Sequence, residues 1–123
     1  MRRELALDPE PAAARAARRF VTTVCAEWNL AHLTEPAMVV ASELVSNAVC
    51  HSGTPMRLSV ALHEPFLYIV LHDQRPDVDL PPAHSRLLDV YAAERGVCQP
   101  GEGEPDAGKR VWASIRAVPV TED

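Results

Sequence analysis

Apolar side chains recur along this chain with two different periods, and the change of period divides it. From Ala12 to about Trp28, Ala13, Ala16, Ala17, Phe20, Val21, Val24 and Trp28 fall at three- and four-residue steps. That spacing predicts a helix. Asp8-Pro9-Glu10-Pro11 opens it, with acidic groups at the positive helix end and proline in the first turn. A short link, Asn29 to Leu33, leads to Thr34, the predicted N-cap of a second helix reaching about His51. Ser52-Gly53-Thr54-Pro55 ends that helix: Gly53 supplies a left-handed cap and Pro55 prevents continuation.

From Met56 to His63 the period falls to two, through Met56, Leu58, Val60 and Leu62, which predicts a half-buried strand. Beyond a turn at Glu64-Pro65, Phe66 to Leu71 is more uniformly apolar and so more central, with Asp73 just past its end. Pro76, Pro81 and Pro82 fix an irregular, extended segment. Ser85 to Glu94 predicts a short third helix that Gly96 could end. A strand begins at Val97, a loop covers Gln99 to Gly108, and Val111 to Val118 forms the last strand. There is no repeat and no linker. The expectation is one α+β domain over residues 1–123, a two-layer α/β sandwich. Its sheet is mixed, mostly antiparallel, with the helices on one face.

Within the second helix, a carboxylate and a carboxamide interrupt an otherwise apolar run. Positions four apart differ by roughly 40° around a helix axis, so Glu43 and Asn47 share one face and His51 extends the stripe. Met38, Val40, Ala41, Leu44, Val45, Ala48 and Val49 cover the remainder. In the plain reading Glu43 and Asn47 bond each other as surface neighbours. In the sharper one, a buried helix with one polar seam faces something other than core.

The net charge of −5 lacks the electrostatic footprint of a nucleic-acid binder. Arg2, Arg3, Arg15, Arg18 and Arg19 concentrate positive charge early; Arg15, Arg18 and Arg19 fall at helical spacing, as a solvated face or a partner-binding patch. No apolar run approaches the roughly 20 residues that cross a bilayer, and Met1-Arg2-Arg3-Glu4 leads into no signal-peptide centre. Cys25, Cys50 and Cys98 form neither a disulfide framework nor a zinc-like cluster. They are read as reduced thiols of a cytoplasmic protein, with Cys25 and Cys50 as helix packing residues. A remote alternative gathers His51, His63, His72, Asp73 and His84 as metal ligands, although the tight pairs of zinc sites are missing.

Val40-Ala41-Ser42-Glu43-Leu44-Val45-Ser46-Asn47-Ala48-Val49-Cys50-His51-Ser52 resembles the N box of the GHKL (histidine-kinase-like) ATPases. It is most similar to the bacterial anti-sigma-factor serine kinases and their stand-alone relatives. Leu71-His72-Asp73-Gln74-Arg75-Pro76 resembles that group's first nucleotide-binding box, and Gly108-Lys109-Arg110-Val111-Trp112-Ala113 its final strand. The resemblance implies a Bergerat-type fold that binds ATP and Mg²⁺ and phosphorylates an antagonist protein while sequestering a sigma factor. It implies Asn47 as the Mg²⁺ ligand, Glu43 as general base and Asp73 as acceptor for the adenine amino group. His51 joins the nucleotide set or caps its helix. Lys109 reaches a phosphate or stays a solvated strand-end residue. Partners would be a sigma factor or its antagonist, with neither direct nucleic acid nor membrane, and the family's habit of pairing implies a homodimer.

The chain also departs from the family pattern. Gln74-Arg75-Pro76 stands where glycines usually follow the adenine-binding aspartate, and Pro81-Pro82-Ala83-His84-Ser85 replaces the glycine-rich lid. Prolines lack the N–H donors that cradle phosphates. Arg110 replaces a small hydroxylic residue. Arg75 or Arg86 could substitute for the lost donors. The alternative function is therefore a catalytically inactive member, a protein-binding module with weak nucleotide affinity or none.

Overall fold

The first strand forms where the hydrophobic pattern is weakest. Arg2–Leu7 is β1, an edge strand ahead of the first expected element. Its apolar side chains, Leu5, Ala6 and Leu7, are consecutive and declare no period, and antiparallel pairing with Met56–His63 (β2) makes the strand. The structure, a computed structural model, describes residues 1–51, 53–74, 86–98 and 109–117, with only the backbone of His51, Arg86, Cys98 and Lys109. The remaining elements are α1 (Ala13–Glu27), a 3₁₀ turn (Ala31–Leu33), α2 (Thr34–His51), β3 (Phe66–Asp73), α3 (Arg86–Tyr91), β4 (Glu94–Cys98) and β5 (Lys109–Arg116).

The sheet runs β1-β2-β3-β5-β4, and every adjacent pair is antiparallel. This corrects the expectation of a mixed sheet. The crossover through α3 sends β4 in the same direction as β3, but β5 inserts between them, so no parallel ladder forms. Strand and helix bounds also shift: β4 starts at Glu94, α3 stops at Tyr91, and β5 starts two residues early.

Side chains alternate across the sheet. Leu58 and Val60 of β2, Leu67, Ile69 and Leu71 of β3, and Ala113 and Ile115 of β5 are buried. They form one core with Ala17, Val21 and Val24 of α1 and Val40, Ala41, Leu44 and Val45 of α2. Alanines at 13, 17, 37 and 41, all buried, let the two long helices approach each other closely. Arg3 on β1 reaches Glu27 at the end of α1, 2.7 Å away, but this exposed pair is worth little, about 0–1 kcal/mol.

The helix ends follow local chemistry in two of three cases. α1 closes in a Schellman motif: Asn29 takes φ 62°, its N–H donates to Ala26, and the Leu30 N–H donates to Cys25 at 2.7 Å. Gly53, at φ 65°, caps α2 as expected, its N–H donating to the Ala48 carbonyl. Thr34 differs from expectation. Its backbone is helical (φ −56°, ψ −49°), since the 3₁₀ turn runs directly into α2, and its side chain engages Cys25 instead of capping.

The cysteine expectation divides. Cys25 is buried, whereas Cys50 is exposed and packs into no core. Burial raises the Cys25 thiol pKa from the ordinary 9.0, with the Thr34 hydrogen bond pulling the other way. A raised folded pKa stabilises fully below the unfolded value, so this contribution declines as pH rises past 9.0. In a Cys98→Ser background, iodoacetamide at pH 8 is expected to alkylate Cys50 within minutes and Cys25 only after urea unfolding. Equal rates in the native protein, read by mass spectrometry, would refute the burial of Cys25. No described helix is long and apolar enough to cross a membrane.

Candidate functional site

α2 carries the polar seam on a helix otherwise turned to the core. Ala37, Val40, Ala41, Leu44, Val45 and Ala48 are buried, while Glu43 and Asn47 are half-buried. The two lie roughly 6 Å apart along the axis, four residues at 1.5 Å each. Glu43 lines an open cavity of about 550 Å³ between α1, the 3₁₀ turn, α2 and α3. Arg18, His32, Thr34, Met38, Ser42 and Leu87 contribute to the same wall. Arg18 Nη1 donates to Ser42 Oγ at 3.0 Å, fixing a guanidinium from α1 in the cavity that Glu43 lines. The seam thus opens onto a hollow at Glu43; Asn47 lies one turn further along α2.

Asp73 occupies the carboxyl end of β3, on the helix-facing side, and is 1% exposed. Its cross-strand neighbours are Met56 and Lys109. The next residue, Gln74, donates its backbone N–H to Thr54 Oγ1 at 3.3 Å. Thr54 follows the Gly53 cap directly, so the turn leaving α2 is pinned to the end of β3. The C-terminal end of α2, Asp73 and the start of β5 are accordingly gathered at one end of the sheet. A buried carboxylate requires polar partners, and Asp73, like Glu43, is engaged by neighbours.

The other sequence candidates divide by location. His51 is the last helical residue of α2, and Lys109 opens β5 opposite Asp73. Arg75, the segment 81–85 with His84, and Arg86 beyond its backbone lie outside the described residues. Sequence reasoning left Arg18 among three arginines at helical spacing. Arg15 and Arg19 are exposed as a solvated face should be, but Arg18 is half-buried and turned to the cavity. Thr54 carried no signal, because its role depends on which strand end lies beside it.

The histidine-cluster reading loses its geometry. His63 and His72 alternate onto the sheet face away from the helices, whereas Asp73 faces them. Among the described residues, no three His, Cys, Asp or Glu side chains gather around a common point. Mg²⁺ brought in by a nucleotide needs no such cage, because it keeps several waters and takes one or two protein oxygens. The Asn47 carboxamide, half-exposed beside the Glu43 carboxylate, fits that requirement. No model of a known protein family matches the chain, and no curated protein matches it.

Proposed function

We propose that the chain is an ATP-binding regulatory protein of the histidine-kinase-like class, and that its two layers are a Bergerat-type fold. The observation supporting this is α2 itself: a helix buried on its apolar side that keeps Glu43 half-buried at a cavity edge and Asn47 half-buried one turn further along, with Asp73 buried at the neighbouring strand end. Asn47 offers one hard oxygen to Mg²⁺. Asp73, buried at the end of β3, would accept a hydrogen bond from the adenine amino group. Bound ATP supplies the phosphoryl group for transfer. Glu43 takes the proton from the attacking serine hydroxyl of a partner protein, so that the Glu43 carboxylate ends protonated. Arg18 contributes positive charge to the cavity that Glu43 lines. The partner is an anti-sigma antagonist or a sigma factor, met in the cytoplasm.

One observation favours the second reading, a protein-binding module without turnover. Leu87 at the cavity rim and Val90 on α3 are 46% and 74% exposed, and contiguous exposed apolar groups mark protein-binding surfaces. Titration calorimetry with ATP, with and without Mg²⁺, separates the two. Saturable heat that requires Mg²⁺ is expected. Its complete absence would remove the nucleotide reading and leave the module. Glu43→Gln keeps size and removes the base, so partner phosphorylation should fall by roughly 10²–10⁴ with ATP affinity held. Equal loss of both in that variant would assign Glu43 a structural role.

A further inference from the structure

Among the described residues, nothing covers the face of the sheet opposite the helices, and its composition differs from the rest of the chain. β3 and β5, adjacent near the sheet centre, put Tyr68 and Trp112 on this side, ring centroids 6.4 Å apart. Phe66 and His63 continue the aromatic row, 6.3 and 6.0 Å from Tyr68. The indole of Trp112 lies across Gly96 of β4, where a Cβ would come within 2.8 Å of the ring. Glycine there lets the ring lie down along the sheet surface. The half-buried Tyr68 and Trp112 and the exposed His63 line a shallow groove of about 590 Å³.

Charge on this face is opposite in sign to the whole. Register and alternation place Arg2, Arg57, Arg110 and Arg116 on it, against Glu4 and Glu94. Glu4 pairs with Arg2 and lies 4.0 Å from Arg57. Arg116 lies over the Phe66 ring, 5.8 Å from its centroid. Arg57, His72 and Arg110 form one cross-strand row over β2, β3 and β5. His72 lines the groove, and its Nε2 is buried without a hydrogen-bond partner. The net charge of −5 averages this cationic face with an acidic remainder.

We propose that the open sheet face binds single-stranded nucleic acid. Aromatic rings on adjacent strands, tilted 52° to 65° to one another, offer bases separate apolar stacking faces, worth about 1–3 kcal/mol per stacked base. The Arg57–His72–Arg110 row stands one same-face position from Trp112 and two from Tyr68, where a backbone phosphate would follow. A second copy of the chain is a poorer occupant, since two such faces would oppose excess positive charge to excess positive charge. An acidic peptide satisfies the arginines but leaves the rings unused. The site lies on the opposite side of the sheet from Glu43 and Asp73, and its test is independent of the nucleotide reading.

The test is fluorescence anisotropy of labelled twelve-residue oligo(U) and oligo(dT) titrated with the full chain at 50 mM salt. Saturable binding that weakens steeply toward 200 mM salt is expected, with RNA and DNA arms showing which sugar is preferred. Arg57→Ala/Arg110→Ala changes two exposed strand arginines and should weaken binding roughly tenfold. The same variant should flatten the slope of log affinity against log salt by about 0.7 for each phosphate no longer neutralised. Trp112→Leu, with folding checked by circular dichroism, should weaken binding at every salt concentration. No saturable binding of either oligonucleotide, or equal affinity in the double arginine variant, would overturn the proposal. So would equally effective competition by poly-glutamate, which would show unspecific charge attraction, or sedimentation showing a dimer that buries this face.

Discussion

Asn47→Ala is expected to abolish Mg²⁺-dependent ATP binding while the protein stays folded. One oxygen ligand to a nucleotide-bound cation is worth several kcal/mol, and about 3 kcal/mol is roughly two orders of magnitude in affinity. The fold should tolerate the change. Asn47 is half-buried and lies inside α2, where alanine is favoured over asparagine by up to about 0.7 kcal/mol. Calorimetry and a thermal melt read the two effects separately. An unchanged ATP affinity would take Asn47 out of the metal role. A collapse in melting temperature with affinity lost would mean that the carboxamide holds the helix layer together.

The largest stability effect is expected at Ile69. It sits on β3, the middle strand, fully buried, between Val60 on β2 and Ala113 on β5. Ile69→Ala leaves a cavity that the small Ala113 cannot fill, at a cost of about 2–5 kcal/mol. Against a typical total of about 5–15 kcal/mol, that is a large fraction of stability. The urea midpoint should drop accordingly. Val70→Ala, one residue on and facing the open side of the sheet, should cost about 1 kcal/mol or less. Similar midpoints for the two variants would contradict the assignment of faces.

These two expectations differ in how much of them sequence could supply. Ile69 belongs to a run whose apolar character alone predicts a central strand, and the structure places it there. The polar seam was legible too. Glu43 and Asn47 had to share a face once α2 was a helix, and Gly53 had to end it. The histidines were less legible. Alternation puts His72 and Asp73 on opposite faces of the sheet, although they are adjacent in sequence, so the two cannot share a metal. The side chains of His51 and His84 lie outside the described residues. Arg18 and Thr54 were invisible as site residues because their partners, Ser42 and Gln74, are 24 and 20 positions away.

Sequence by itself determined the periods, hence which residues of α1, α2, β2 and β3 turn inward, and the local stop at Gly53. Periodicity states only that a face is covered, and by which side of its own element. Tertiary structure decided what covers it: the recruitment of Arg2–Leu7 as an edge strand, the insertion of β5 between β3 and β4, and the burial of Cys25 but not Cys50. It also decided that four arginines of an acidic chain share one sheet surface with Tyr68 and Trp112. Those outcomes depend on pairings between distant segments, whose free energy no local pattern of side chains records.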